Sequence, residues 1–411
     1  MKRIAIGLVG CGGMGRRHLR AYTALRAAGA DLFSVAAVCD PRPDAAEAAA
    51  AYAAEALGER PKVFASHKDL LASGVVQAID VVTDPSAHHG IVVEALEQGV
   101  HVTCEKPLGL TVRACQRIVE AAERSNAVLS TAENYRRDSP NRLARAVLDA
   151  GLLGRIHLMV QQSLGGSDQI MISPWRHLAT SGPMALDMGV HYSDIIQYYF
   201  GEYESAFGQS FIAEPIRRYP PDMPRALDIP EIEPGAIQAT GDDSLLGLFE
   251  MRSGVWIQLA YIPSGPGERY FQRTIHGSLG SMTIPRDRSG GAVVVRLGDE
   301  VLSGADLRAA LGGFRLDPYA ARFFGEEGTE YDLSFAEVDA ATLGIELEEF
   351  ASAVVENRRP EVDGRAGLVA VAAIWALAES KLAGARVRVD DVASGAISAA
   401  QRGVDQALGL L

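Results

Sequence analysis

Three clusters in this 411-residue chain combine residue types and spacings that could do chemistry. Gly10-Cys11-Gly12-Gly13-Met14-Gly15 is a GxGxxG run that follows the apolar stretch Ile4 to Val9 and opens a helical pattern. In that setting glycines let backbone approach a pyrophosphate, and the helix N-terminus offers free N–H groups and the positive end of its dipole. Asp40 ends the next strand pattern, 25 residues after Gly15 (40 − 15), where a carboxylate binds adenosine ribose hydroxyls. That carboxylate would repel a 2′-phosphate and so favours NAD, while Arg42, two residues on, is placed to accommodate NADP.

The second cluster, Cys104-Glu105-Lys106-Pro107, stands at the C-terminal end of a predicted strand, the side of a parallel sheet where ligands sit. A lysine there can stabilise charge developing on a substrate oxygen during hydride transfer. The third is Asp187-Met188-Gly189-Val190-His191, continuing to Asp194. On a helix these three polar positions share one face, so the carboxylates are expected to flank the imidazole and fix its tautomer, making His191 a proton shuttle. Asp and His are also metal ligands, but no third histidine stands at useful spacing, and no metal is expected. Taken singly, the clusters also read as a glycine turn, a loop lysine and a helix charged for solubility. Asn134, Tyr135, Arg136, Arg137, Trp175, Arg176 and His177 gather at the predicted domain junction. Arginine beside aromatics suits sugar hydroxyls or a carboxylate, or simply a solvated seam. Tyr198, Tyr199 and Phe200 read as core.

The elements that must position these residues follow two rhythms. Up to Tyr135, strands (Ile4–Val9, Val35–Cys39, Ala78–Val82, His101–Cys104, Val128–Thr131) alternate with helical patterns (Met14–Ala28, Asp44–Leu57, His89–Gln98, Val112–Arg124). Strand and helix in alternation predict a doubly wound parallel α/β sheet of the Rossmann type over 1–135. Beyond Tyr135, a helix (Leu143–Asp149) stops at Gly151, and β-rich segments follow at Ile156–Gln162, Leu245–Glu250, Val255–Tyr261 and Phe271–His276, with a turn at Arg252-Ser253-Gly254. These predict an α+β substrate and oligomerisation domain over 136–392 with a large, mostly antiparallel open sheet. Helices at Leu343–Val355 and Leu368–Ala383, a strand at Val387–Val389 and a helical extension over 393–411 complete the chain. The proline-rich stretch 215–234 suits a lid, an oligomer arm or a disordered loop.

Composition narrows the class. Apolar residues at 48% and charged residues at 22% suffice for sizeable cores, and the length suggests two domains. With 39 basic against 52 acidic side chains the net charge is −13, which argues against a nucleic-acid partner. Cys11, Cys39, Cys104 and Cys115 form no CxxC pair, so neither a disulfide framework nor a structural zinc is expected. Met1-Lys2-Arg3 runs straight into a strand pattern without a leader-like region, and the apolar run Ala366 to Ala378 is too short to span a bilayer. A cytoplasmic protein with no membrane partner is expected.

Together, in this order, the three motifs resemble the glucose–fructose oxidoreductase / inositol dehydrogenase / MocA (Gfo/Idh/MocA) family of oxidoreductases over nearly the whole chain. Pro85 with His88 or His89 before a helix, Trp175-Arg176 and Gly277-Ser278-Leu279-Gly280 add to the resemblance, while Ser181-Gly182-Pro183 replaces a usual glycine triplet. The resemblance implies NAD(P) held by Gly10, Gly12, Gly13, Met14, Gly15, Asp40, Arg42, Pro85, His88, Glu105 and Lys106. It implies Lys106 bridging substrate oxygen and cofactor, His191 as base, and Asp187 as its partner or a second substrate ligand, with Asn134, Tyr135, Arg137, Trp175 and Arg176 as candidate substrate contacts. The implied reaction moves hydride between a secondary alcohol of a sugar, glycoside or cyclitol and nicotinamide, in a homodimer or homotetramer. Two competitors share the fold: an NAD-dependent glycoside hydrolase working by transient oxidation and elimination, and a non-catalytic NAD(P)-sensing regulator, which would need none of Lys106, Asp187 and His191. The segment from Gly298 to Glu330 is longer than a minimal member requires and leaves the substrate open.

Asp40→Ala is expected to weaken NADH binding more than NADPH binding in a fluorescence titration; equal losses would place ribose recognition elsewhere.

Overall fold

The computed structural model describes residues 3–226 and 228–411; Met1 and Lys2, which head the first strand pattern, and Leu227, in the proline-rich stretch, lie outside them. The first half alternates β1 (Ile4–Val9), α1 (Gly13–Ala27), β2 (Phe33–Cys39), α2 (Pro43–Leu57), β3 (Lys62–Phe64), α3 (His67–Ala72), β4 (Ala78–Val81), α4 (Pro85–Glu97), β5 (His101–Glu105), α5 (Val112–Arg124) and β6 (Leu129–Ala132). The six strands form one parallel sheet in the order β3-β2-β1-β4-β5-β6, the doubly wound arrangement expected. Its order reverses beside β1, so the crevice for a ligand opens over the C-terminal ends of β1 and β4. Local chemistry sets the helix starts: Asp84 caps α4 ahead of Pro85 by accepting from Ser86 N–H at 2.8 Å, and Thr111 caps α5 through Ala114 N–H.

The second half runs α6 (Ser139–Asp149), β7 (Ile156–Leu164), α7 (Met184–Phe200), β8 (Tyr203–Phe211), β9 (Ile216–Arg218), β10 (Glu231–Glu233), β11 (Ala236–Gln238), β12 (Ser244–Met251), β13 (Trp256–Ile262), β14 (Tyr270–Gly277), β15 (Ser281–Thr283), β16 (Val294–Leu297) and β17 (Glu300–Leu302). Then come α8 (Gly304–Ala310), α9 (Pro318–Phe324), α10 (Phe335–Glu356), α11 (Gly364–Ala383), β18 (Val387–Arg388), α12 (Val389–Ala393) and α13 (Arg402–Ala407). Nine strands make a sheet ordered β17-β16-β15-β14-β7-β13-β12-β8-β18, antiparallel except for the β7–β13 pair. Arg252-Ser253-Gly254 turns β12 into β13 as expected.

Several elements depart from expectation. The proline-rich stretch carries β9 and β10, which with β11 just after it form a small sheet in the order β10-β11-β9; three-residue strands are too short to show a period between prolines. β8 escaped because Tyr203–Phe211 has no β-branched residue and a central Gly208. The 298–330 segment, for which the sequence suggested only extra length, holds β17, α8 and α9. The apolar run after Ala366 belongs to α11, 20 residues long and apolar enough to cross a bilayer by length and composition, with a hydropathy of 1.5. That helix is instead packed against β8, α7 and α5, and 61% of its apolar window is buried.

α10 returns to cover the first sheet. Leu343, Leu347 and Phe350 join Ile6, Leu8, Leu19 and Leu25 in one buried cluster. Within that contact lies His18, fully buried, its Nδ1 2.8 Å from Asp80 Oδ2 and its Nε2 3.2 Å from Glu105 Oε1. Tyr22 donates to the same Asp80 oxygen at 2.9 Å. Burial opposes charge on the ring, but Asp80 and Glu105 together hold the imidazolium well above the usual histidine range. Burial pushes Glu346, whose two oxygens have no partner, towards its neutral form. His18, Glu105 and Glu346 bring ligand-type atoms within 4.8 Å of one another, but a protonated imidazole has no lone pair for a metal, so this is an ion-pair network.

Because the folded pKa of His18 is raised, its contribution is fully present below an unfolded value of about 6.5 and is lost as pH rises through the folded pKa. His18→Ala should cost about 3–5 kcal/mol in urea unfolding at pH 6, by stranding buried carboxylates. The difference from wild type should narrow at higher pH; a pH-independent difference would show that the ring is neutral.

Candidate active site

The GxGxxG loop joins β1 to α1 in the conformation a pyrophosphate needs. Gly10 has φ +104°, and a Cβ there would stand 2.8 Å from Val82 O. At Gly15 a Cβ would lie 2.1 Å from Gly10 O, so only glycine lets the helix start against the strand. Gly13 faces open space, a Cβ on Gly12 would meet only the Arg42 guanidinium at 3.6 Å, and Met14 is half-buried against the cluster beneath. α1 starts with no side-chain cap, unlike α3, α4 and α5, and has no acidic residue in its first turn, so its N–H groups are left for an anion. Asp40 follows β2, with Oδ2 accepting Cys11 N–H at 2.8 Å and Oδ1 accepting Arg42 N–H at 2.9 Å. The exposed Arg42 side chain reaches back beside Gly12. These residues fit a dinucleotide: a glycine cradle, an uncapped helix start and a carboxylate at the strand end.

Lys106 follows β5. Its Nζ donates to Asp187 Oδ1 and to Asp187 O, both at 2.9 Å, which ties the end of the first sheet to the first turn of α7. Asp187 Oδ2 accepts from Arg176 Nε at 3.0 Å. Burial alone would raise the Asp187 pKa, but Lys106 and Arg176 hold it below the usual range. Glu105 is buried, with Oε2 accepting Lys106 N–H at 3.0 Å while Oε1 meets His18; burial is again outweighed, here by His18, Lys106 and Arg17, and the carboxyl stays ionised. Arg176 lies over the Trp175 ring at 4.1 Å. A Cβ on Gly182 would stand 2.9 Å from that ring and 3.2 Å from Pro85, so Trp175 closes over the start of α4.

His191 differs from the expected arrangement. Neither carboxylate on its own helix holds it: Asp187 serves Lys106 and Arg176, and Asp194 makes a two-pronged pair with Arg136. The partner is Glu133, just past β6, whose Oε2 lies 2.7 Å from His191 Nδ1. Tyr135 stacks on the imidazole, 4.0 Å between centroids and 7° between planes. Burial, then Lys106, Arg288, Arg17 and Arg176, push the His191 pKa well below the usual range, so the ring is neutral at neutral pH. Glu133 was passed over although it stands at a strand's C-terminal end, the position that singled out Lys106. Arg17 and Arg288, which share Asp339, had no sequence signal: they come from α1 and from a loop 271 residues further on (288 − 17).

Two further expectations need correction. His88 is enclosed, one nitrogen 3.0 Å from Pro107 O and the other 3.2 Å from Thr83 O, so it braces the Lys106–Pro107 turn rather than lining the cleft. His89 is the half-buried neighbour. Arg137 is fully buried against Glu349 and Glu361 and faces the helices of the second half. Asn134 is buried with Oδ1 unpartnered, and His177, pushed down to about 4 chiefly by burial, accepts Met171 N–H at 3.0 Å.

Residues 4–133 match the family model described as the oxidoreductase family with an NAD-binding Rossmann fold, and residues 141–283 match the Gfo/Idh/MocA C-terminal domain. The rhizopine catabolism protein MocA of Rhizobium meliloti is 30% identical over 208 residues, 50% of this chain and 60% of that protein. A levoglucosan dehydrogenase of Pseudarthrobacter phenanthrenivorans is 27% identical over 299 residues, 70% of this chain and 75% of that protein. The match to MocA thus spans less than two thirds of its length. In fold, the chain is similar to a levoglucosan dehydrogenase solved with NADH and L-sorbose (TM-score 0.76, 21% identity, 95% of this chain and 99% of that one).

Gly13→Asp places a carboxylate in open space over the uncapped start of α1. NADH affinity is expected to fall at least about tenfold, roughly 1.4 kcal/mol, with an unchanged melting temperature. Unchanged affinity would move the pyrophosphate off this helix.

Proposed function

Since this chain belongs to the Gfo/Idh/MocA oxidoreductases, whose first domain is an NAD-binding Rossmann fold, we propose that it oxidises or reduces a secondary alcohol of a sugar, glycoside or cyclitol. One observation carries the reading: Lys106, Asp187 and His191 converge at the C-terminal edge of the parallel sheet that also presents the uncapped glycine loop. When bound, nicotinamide accepts the carbinol hydride or returns it. Everything else is the work of side chains. His191, with Nδ1 taken by Glu133, has Nε2 left to accept the hydroxyl proton, and its depressed pKa keeps it unprotonated at neutral pH. Lys106 turns an ammonium, held in place by Asp187, towards the alkoxide oxygen that forms. Trp175, Arg176 and the unpartnered Asn134 Oδ1 supply apolar cover and polar contacts for a hydroxylated ring.

The open face of the nine-stranded sheet exposes Phe207, Leu246, Leu248 and Trp256 on the three neighbouring strands β8, β12 and β13. An apolar face of that kind suits a second copy of the chain, and a homodimer or homotetramer formed through it is part of the proposal. Four free, buried cysteines suit a reducing compartment such as the cytoplasm.

A panel of sugars and cyclitols with NAD, read at the reduced-nicotinamide band, tests the activity. Tight cofactor binding without reduction would favour the hydrolase or the regulator. Lys106→Met should leave NADH binding within a few-fold and lower kcat by about 10²–10³; unchanged turnover would remove Lys106 from the reaction. Leu248→Glu should halve the mass or more in light scattering if the open face is the contact.

A further inference from the structure

His191 must take a proton in an environment built against its doing so. Lys106 from the end of β5, Arg17 from α1, Arg176 from the turn before α7 and Arg288 from the loop after β15 all disfavour an imidazolium there. The anions nearby are committed: Asp187 to Lys106 and Arg176, Asp339 to Arg17 and Arg288, Asp194 to Arg136, Glu105 to His18. A base that stored the proton on its own ring would place a fifth positive charge among those four cations, inside a water-poor site.

Glu133 stands apart from those anions. It is 1% exposed, its Oε2 is 2.7 Å from His191 Nδ1, and no second side chain bonds to it among the described residues. The Tyr135 ring, stacked on the imidazole, fixes the plane in which that short contact lies. From β5 Glu105 and Lys106 face it, from α7 Asp194, and from its own segment Arg136. Burial and Asp194 favour its protonated form more than Lys106 and Arg136 favour its charged one.

We propose that Glu133 is the terminal proton acceptor of this site, through a two-proton relay: the substrate hydroxyl proton bonds to His191 Nε2 as the Nδ1 proton passes to Glu133 Oε2. The inference rests on His191 being the base of the proposed oxidation. The balance closes: the O–H and Nδ1–H bonds break, Nε2–H and Oε2–H form, and the carbinol C–H electron pair leaves with the hydride to the nicotinamide. The imidazole ends neutral, with its tautomer reversed, and the negative charge of Glu133 is what disappears. In the reducing direction the same dyad delivers the proton. Glu133 is thus a positioning and proton-storing residue acting through His191, and the pair titrates as one unit.

Two measurements test this, one of them independent of turnover. In the cofactor-free protein, infrared spectra recorded as pH falls should show a protonated carboxyl band that is missing in Glu133→Gln. A wild-type dyad that takes up its proton as imidazolium, with no such band, overturns the relay even if the enzyme is a dehydrogenase. With any alcohol that wild type oxidises, Glu133→Gln should keep KM and NADH affinity within a few-fold and lower kcat by about 10²–10³. Its acid limb in the pH profile should move to lower pH, because a lone His191 among four cations holds a proton less well. The solvent-isotope inventory should fall from two protons to one, and Glu133→Asp should recover part of the rate. A rate loss with an unmoved acid limb and a one-proton inventory in both enzymes would reduce Glu133 to a structural support. Failure of the alcohol panel alone would count against the proposed oxidation, and the infrared result would still decide the relay.

Discussion

The Lys106–Asp187 contact is the constraint on which the rest of the site depends. It joins a residue at the end of the first sheet to the first turn of the helix that lies over the second, and it is almost wholly buried. Asp187 accepts Lys106 with both a carboxylate oxygen and its own carbonyl, and gives its other oxygen to Arg176. One carboxylate therefore sets the position of two cations belonging to different segments. Behind it, Glu105 accepts the Lys106 backbone N–H, which fixes the main chain from which the ammonium extends, and is itself held by His18. The chain of contacts from His18 through Glu105 and Lys106 to Asp187 is short and buried. Such a network is rigid, and rigidity is what an electrostatic site needs if its dipoles are to be in place before charge develops.

A second layer lies behind this line. Arg288 sits 5.2 Å above the Tyr135 ring and 4.9 Å above Phe335, while Arg17 reaches Phe335 at 5.8 Å, and both guanidiniums close on Asp339 of α10. Arg288 takes a left-handed backbone, φ +60°, unusual for a side chain of that size, and its N–H is anchored on Asp138 at 2.6 Å. The strain is stored where an arginine must be presented to the stacked Tyr135–His191 pair. The electrostatics of the imidazole are thus set by residues from five separate segments, none of them its neighbours in sequence.

Much of this is legible in the sequence. Period and glycine spacing placed the parallel sheet, the cofactor loop and Lys106, because a buried strand followed by GxGxxG and a strand-end Glu-Lys-Pro are local statements. The helix face that carries His191 is legible as well, since a polar stripe on a helix shows at i, i+4 and i+7. The partner was misassigned for a physical reason: helical spacing says which side chains could meet, but Asp187 and Asp194 are drawn off by stronger cations across the domain junction. Glu133 won because β6 ends opposite α7, a fact of topology that no window of sequence contains. Arg288 and Asp339 were invisible on the same ground. His88 looked like a ligand because it is polar beside a predicted site, whereas two backbone carbonyls were waiting for it.

The return of α10 onto α1 has a bearing on how the molecule is made. Leu343, Leu347 and Phe350 close the same apolar cluster as Ile4, Ile6 and Leu19, more than 300 residues earlier. During synthesis, the nucleotide-binding half emerges first, yet one face of α1 stays bare until nearly the whole chain has been translated. Arg17 waits equally long for Asp339. The amino-terminal sheet is therefore not an autonomous folding unit in the usual sense. Its apolar flank is a liability on the ribosome, a natural point for chaperone contact, and the reason a fragment ending near Tyr135 would be prone to aggregate.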